Sequence, residues 1–265
     1  MTDAHGGFSG THLIEVRSET TNYAETLEKW KDTYGVRFVL AFSGGADDDS
    51  PILQYLKNRI ANNDSFSEDS RGQFQGIVNE ANDKIIGKIV RDVLAPLRDY
   101  RIAIQTGGTK FGVPRVATQV ANELGFPTIG VFPLTAQVNK HVDDCLDLAV
   151  CVHPFVGKSQ WGDESAIFTK LLDAVIVIGG GAGTMVEVAH LLKINERKND
   201  VTKHIIPVHG THGTAQVLSS FPGKPETMAR CIPGYSITSG GMALKYLIEN
   251  TFIEDVYEPK EGASS

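Results

Sequence analysis

The sequence predicts an α/β chain of Rossmann-like type, with a mainly parallel sheet covered by helices on both faces. Two observations carry that expectation. Short runs rich in valine and isoleucine recur along the chain without the in-out alternation of a half-exposed strand, which is the pattern of strands buried on both faces. Three of these runs break into glycines and then into a helical pattern, at Gly44-Gly45, Gly107-Gly108 and the cluster that starts at Gly179.

Along the chain, residues 1–35 read as an extension packed on or preceding the core, 36–255 as one domain and 256–265 as a mobile tail. Residues 36–42 form the first strand, which ends in Ser43 and the glycine pair, followed by Asp47, Asp48, Asp49, Ser50 and a short helix opened by Pro51. The polar stretch 62–73 reads as an exposed loop. Phe74, Ile77, Val78, Ala81, Ile85, Ile89, Val93 and Leu97 recur at three- and four-residue steps and predict a long amphipathic helix over 74–97. Residues 101–105 are a short strand, 113–124 a helix closed by Gly125, and 128–132 and 148–152 further strands. Residues 174–178 are a strand followed by a helix over 185–193, and 204–208 a last strand. Residues 219–241 are rich in glycine, proline and serine, and a final helix spans 242–251.

Composition excludes several classes. The 265 residues, 41% of them apolar, suffice for a full-sized core. A net charge of −7 without a dense lysine or arginine cluster argues against a nucleic-acid partner. Neither a secretory leader nor an apolar run approaching the ~20 residues of a membrane span is expected. Cys145, Cys151 and Cys231 form no Cys-x-x-Cys pair, which points to a reducing, cytoplasmic setting rather than a disulfide framework.

The stretch from Asp173 to Glu187 bears the most chemistry. Gly179, Gly180, Gly181 and Gly183 let backbone N–H groups approach a ligand, and the helix that follows turns its positive dipole end toward an anion. No Gly-Lys-Ser/Thr follows, so this is not the loop of a P-loop ATPase. The three glycine turns leave the carboxyl ends of parallel strands and are expected to converge on one crevice. Gly44, Gly45, Gly107, Gly108, Thr109, Lys110, Gly180, Gly181, Gly183 and Thr184 are the candidate phosphate-binding residues, with Glu187 the candidate catalytic carboxylate. Asp47, Asp48 and Asp49 either hold a Mg²⁺ that bridges to phosphate or favour the start of the next helix. His209 and His212 lack a third ligand at a recognised spacing, so no protein metal site is assigned.

Gly180, Gly181, Gly183, Thr184 and Glu187 match, position for position, the Pro-Gly-Gly-x-Gly-Thr-x-x-Glu signature of the Lonely Guy (LOG) family, which the chain therefore resembles. Gly179 stands in place of the proline, as in a branch that includes molybdenum-cofactor carrier-like proteins. The larger grouping is the SLOG superfamily. It includes nucleoside-monophosphate phosphoribohydrolases, DNA-processing proteins and sensors of nucleotide-derived signals. The resemblance extends through Gln-Thr-Gly-Gly-Thr-Lys-Phe-Gly at 105–112 and Ile-Gly-Val-Phe-Pro at 129–133, and covers 36–208. It implies a phosphorylated nucleoside or nucleotide-derived ligand and a homodimer or higher homo-oligomer. In the phosphoribohydrolases the glutamate works with an arginine from an Arg-Lys pair. That position falls near Glu164 here and no such pair exists, with Lys170 the nearest substitute. The expected function is therefore recognition, by a sensor or carrier. Hydrolysis of the N-glycosidic bond, with Glu187 assisting, and a carrier role for a phosphorylated pterin are the alternatives.

Overall fold

The computed structural model describes residues 12–17, 23–45, 67–197 and 201–258. Strands β1 (His12–Val16), β2 (Phe38–Gly44), β3 (Ile102–Thr106), β4 (Thr128–Pro133), β5 (Leu148–Val152), β6 (Ala174–Ile178) and β7 (His204–Val208) form one 7-stranded sheet in the order β1-β5-β4-β3-β2-β6-β7. Every pairing of neighbouring strands is parallel. The helices are α1 (Tyr23–Tyr34), α2 (Glu68–Leu94), α3 (Gly112–Leu124), α4 (Leu134–Val138), α5 (Ser165–Leu171), α6 (Ala182–Asn195), α7 (Gly213–Val217), α8 (Pro225–Cys231) and α9 (Gly240–Asn250).

The apolar runs are strands because both of their faces are covered. Along β2, Phe38, Leu40 and Phe42 enter a core built with Val90 and Val93 of α2, Val116 and Val120 of α3, and Leu247 of α9. The alternate residues Val39 and Ala41 enter the opposite core with Trp30 of α1, Phe168 of α5, and Val188 and Leu191 of α6. The central strands β2, β3, β4 and β6 are therefore buried at every position but Gly44, mostly by apolar side chains, and the helices lie on both faces as expected for a Rossmann-like sheet.

Several expectations are corrected. β2 runs two residues further than 36–42, which brings Ser43 and Gly44 into the sheet opposite Val177 and Ile178 of β6. Residues 68–73 are helix rather than loop, because Ser67 caps α2 by accepting a hydrogen bond from the Ser70 N–H at 3.2 Å. At 27 residues, or roughly 40 Å, α2 outruns strands of about 20 Å, so Ile77 and Ile85 stay exposed while Ile86, Ile89, Val90 and Val93 are buried. The N-terminal segment supplies an edge strand, β1, which pairs with β5 from His12↔Leu148 to Val16↔Val152. The segment 219–241 contains α8, opened by Pro225 at its first turn. At the start of the expected tail, the Val256 carbonyl accepts from the Arg101 N–H at 2.9 Å, and Glu258 pairs with the Arg101 side chain. The short helix at Pro51 and the residues Asp47, Asp48 and Asp49 lie outside the described residues.

Candidate functional site

The chain fills the sheet from β2 outward in two directions. β3, β4 and β5 follow on one side of β2, and β6 and β7 lie on the other, so the direction of winding reverses between β2 and β6. At such a switch point the turns beyond the strand ends diverge and leave a crevice. β3, β2 and β6 are neighbours, and the three glycine turns leave those three strands. Convergence of Gly44-Gly45, Gly107-Gly108 and Gly179 to Gly183 is a consequence of strand order.

The turns are also tied to one another. The Val113 N–H donates to the Gly45 carbonyl at 2.9 Å, linking the second turn to the first. The Lys110 N–H donates to the His141 carbonyl and the Asp143 N–H to the Gly108 carbonyl, both at 2.9 Å, so residues 141–143 wall the second turn. Thr109 is buried here, whereas Lys110 is exposed at the turn. Arg115 is engaged elsewhere, with its guanidinium 2.5 Å from Asp83 of α2.

The glycines of these turns are glycine for two different reasons. A methyl group on Gly44 would collide with the Ile178 carbonyl and lie 2.6 Å from the Val113 side chain. On Gly108, at φ +64°, it would lie 2.9 Å from the Gly130 Cα, and on Gly180, at φ +94°, 2.5 Å from the Thr184 hydroxyl oxygen. The fold itself demands these three. By contrast, Gly181 and Gly183 have no atom within 4 Å of the added methyl and no left-handed φ, and Gly107 meets only Pro114 at an ordinary 3.7 Å. No crowding or backbone angle in the described residues requires glycine at 181 or 183.

α6 begins at Ala182, three residues before the expected start, with Gly181 at its N-cap and no side chain capping it. The first N–H groups of the helix thus face the crevice without an internal side-chain partner. Sequence reasoning missed what holds the Gly179 turn in place. The Gly179 N–H donates to the Thr211 hydroxyl at 2.8 Å, the Thr214 N–H and Ala215 N–H donate to the Gly180 and Gly179 carbonyls, and the Thr214 hydroxyl donates to the Gly181 carbonyl at 2.9 Å. The segment around His209-Gly-Thr-His212-Gly-Thr is therefore a backbone cradle for the turn. Within it His212 has φ 60° and ψ −164°, a region populated almost only by glycine. His212→Gly is expected to raise stability by about 1 kcal/mol or more through release of that strain, read as an increased urea midpoint; an unchanged or lower midpoint contradicts it.

Glu187 lies in the second turn of α6 rather than the first, since the helix starts earlier than its glycine-rich sequence suggests. Its carboxylate accepts a hydrogen bond from the Ser43 hydroxyl at the end of β2, which spans the switch point. Burial pushes the Glu187 carboxyl up to about 8, opposed by the Ser43 bond and reinforced by the negative charge of Glu164. Glu164 is itself raised by burial, against hydrogen bonds from its own N–H and that of Gly162, the latter at 2.9 Å. Glu164, which lies near the position where the Lonely Guy resemblance implies an arginine, is thus a second carboxyl that disfavours charge on the first. Lys170 does not replace that arginine: α5 carries it about 9 Å along the helix from Glu164, to a cavity lined with Asp173, His190 and Lys203 at the opposite end of β6, with its ammonium over the Tyr23 ring. Among the described residues no cluster of three His, Cys, Asp or Glu side chains suits a metal ion. All three cysteines are free thiols, and no helix among the described residues is long and apolar enough to cross a membrane.

The sequence profile of the SLOG cluster4 family matches residues 77–216. Among solved structures, the X-ray structure of TM1055, a Northeast Structural Genomics Consortium target, aligns with TM-score 0.52 and 17% identity over 80% of this chain and 99% of that chain. The molybdenum cofactor carrier protein from Chlamydomonas reinhardtii aligns with TM-score 0.49 and 16% identity over 80% and 99% of the two chains. DNA processing protein A from Streptococcus pneumoniae aligns with TM-score 0.44 and 16% identity over 83% and 64%. A search of curated proteins gave no significant match. The profile covers more than half of the chain, including the second and third glycine turns, Glu164 and Glu187, and on that ground this protein belongs to the SLOG cluster4 family, with a Rossmann-like fold.

Proposed function

We propose that this protein binds a phosphorylated nucleoside or other nucleotide-derived small molecule at the switch-point crevice, as a sensor or carrier without robust turnover. The observation that carries the reading is the pair Gly181 and Gly183: open positions, free of positive φ, at the uncapped start of α6. Glycines the protein does not need for its own packing are explained by an anion that must approach the backbone closely. Gly44, Gly45, Gly107, Gly108, Thr109 and Gly180 shape the turns, Lys110 supplies the positive charge at the rim, and Thr184, packed against Gly180, holds the turn from beneath.

A LOG-like phosphoribohydrolase is the competing reading, and the carboxyl pair speaks against it. Activation of water needs an ionised Glu187, whereas the Glu164 carboxyl disfavours that charge, and the sequence around Glu164 holds no Arg-Lys pair to help hold substrate and transition state. A carrier of a phosphorylated pterin shares the same phosphate contacts. Assembly into a homodimer or higher homo-oligomer belongs to the proposal and is read by light scattering.

Thermal unfolding and calorimetric titration with nucleoside mono- and diphosphates, cyclic dinucleotides and a phosphorylated pterin separate these readings. A ligand at one hundred times its Kd is expected to add about 2.7 kcal/mol of stability. Chromatography after incubation with purine nucleoside monophosphates is expected to find no free base. Release of base by the wild type, abolished in Glu187→Gln, would establish the hydrolase instead, and no response to any ligand would sink the crevice reading.

A further inference from the structure

We propose that Trp161, backed by His141 and Phe111, is a stacking platform for a planar ring, so that the ligand is a phosphorylated heteroaromatic compound and not a sugar phosphate or an inorganic anion. This rests on the crevice reading above and specifies the other half of the ligand.

Three rings form a chain along the rim of the second glycine turn. Phe111, the residue just before α3, meets His141 edge to face, with ring centroids 5.3 Å apart and planes at 83°. His141 in turn lies nearly parallel to Trp161, with centroids 6.2 Å apart and planes at 14°. Yet Trp161 remains 53% exposed and Phe111 39% exposed. A large ring that already has one neighbour and still keeps half of its surface in water has area left for a second partner.

The placement of these rings ties them to the crevice. The backbone carbonyl of His141 accepts the Lys110 N–H, so the imidazole stands directly beside the turn that carries the rim lysine. Trp161 is followed by Gly162, whose N–H is bound by the Glu164 carboxylate, and Glu164 is close enough to Glu187 to shift its protonation. The Gln160 N–H also donates to Asp163 at 2.9 Å, which closes the turn on which the indole sits. The platform is thus fixed between the second glycine turn and the carboxyl pair, where a ring joined through a sugar to a phosphate at α6 would come to rest. Stacking is tolerant of ring identity, because any heteroaromatic presents a π-face, so this geometry names a class and leaves selection of the ring to edge contacts.

The test uses the two tryptophans of the chain. Trp30 is 5% exposed in the core beneath α1, and Trp161 lies at the rim, so fluorescence quenching by a bound ring reports on Trp161. The full-length wild type, Trp161→Ala and Trp161→Phe are titrated with adenosine, guanosine, cytidine and uridine 5′-monophosphates and with ribose 5-phosphate, and the mass of each protein is followed by light scattering. The nucleotide that binds best to the wild type is expected to quench its emission and to bind about 10- to 100-fold more weakly to Trp161→Ala, with most of the affinity kept in Trp161→Phe. Ribose 5-phosphate is expected to bind weakly, and equally to all three. Equal nucleotide affinity in the wild type and Trp161→Ala overturns the platform while leaving the crevice reading intact. A change of mass without a change of affinity overturns it too, assigning the indole to contact with a second copy of the chain. If the wild type binds none of the nucleotides, the crevice reading fails for this class and the platform fails with it.

Discussion

Gly183→Ala is expected to leave the protein as stable as the wild type, or more stable by up to about 1 kcal/mol, and to abolish stabilisation by the nucleotide-class ligand. Gly44→Ala is expected to cost about 3 kcal/mol or more. The two substitutions add the same methyl group to glycines of the same crevice, and their opposite outcomes follow from what that methyl meets. At Gly183 it meets nothing within 4 Å, and alanine is the better helix former. At Gly44 it meets the Ile178 carbonyl of the paired strand and the Val113 side chain, and neither yields without movement of backbone or core. Gly180→Ala behaves like Gly44→Ala for a further reason: its φ of +94° is closed to an L side chain. Gly181→Ala is expected to lose the ligand response as Gly183→Ala does but to gain no stability, because Gly181 is the N-cap of α6 and glycine is preferred to alanine there. Thermal and urea unfolding, each with and without ligand, check the split. If Gly183→Ala loses stability as Gly44→Ala does, the glycine is there for the fold, and the main support for an anion at the start of α6 disappears.

The same contrast separates what is legible in the amino-acid sequence from what is not. β5, β6 and β7 are read from sequence with their observed limits, because continuous apolar runs between glycine and polar residues have no other stable use in a chain of this composition. The convergence of three glycine turns follows from the general geometry of parallel sheets, and the strand order β3-β2-β6 realises it. The start of α6 is misread because Gly183 and Thr184 carry little helix propensity and a single Ala182 between glycines does not signal a helix, so tertiary contacts decide there. The bond from Ser43 to Glu187 joins residues 144 positions apart and depends on the pairing of β2 with β6, which no local pattern encodes. Glu164 is visible in sequence only as a departure from an expected arginine. That it faces Glu187 depends on how α5 packs on α6. The Thr211 and Thr214 cradle is invisible for the same reason: a short run of glycine, threonine and histidine acquires meaning only when its backbone meets that of Gly179 to Gly181.

The second large effect is the pH dependence of stability, which Glu187→Gln should remove. The carboxyl has an ordinary value of 4.5 in the unfolded chain and about 8 in the folded one. Below the first value both states carry the proton and the group contributes no slope. Between the two, the unfolded state ionises while the folded state keeps its proton, so stability falls as pH rises, by up to ~1.4 kcal/mol per unit. Above about 8 the slope ends and the folded state carries a half-buried, poorly compensated charge. Glu187 retains partial exposure, which reduces the total to a few kcal/mol. Glutamine preserves the shape of the side chain and an acceptor for the Ser43 hydroxyl, and it never ionises. The urea midpoints of the two proteins should therefore coincide at about pH 4 and below and separate toward pH 9, with the variant the more stable. Subtracting the two curves cancels the titrating carboxyls that do not interact with Glu187, such as Asp173, which burial also raises, while the contribution of Glu164, coupled to Glu187, stays in the difference. Parallel curves across that range would mean that Glu187 is charged at neutral pH, which would return to the site the ionised carboxylate that a hydrolase needs. A widening difference would instead leave a neutral acid beside the glycine turn at pH 7. Such a group adds no negative charge to repel an incoming phosphate, and it donates a hydrogen bond where an ionised carboxylate only accepts.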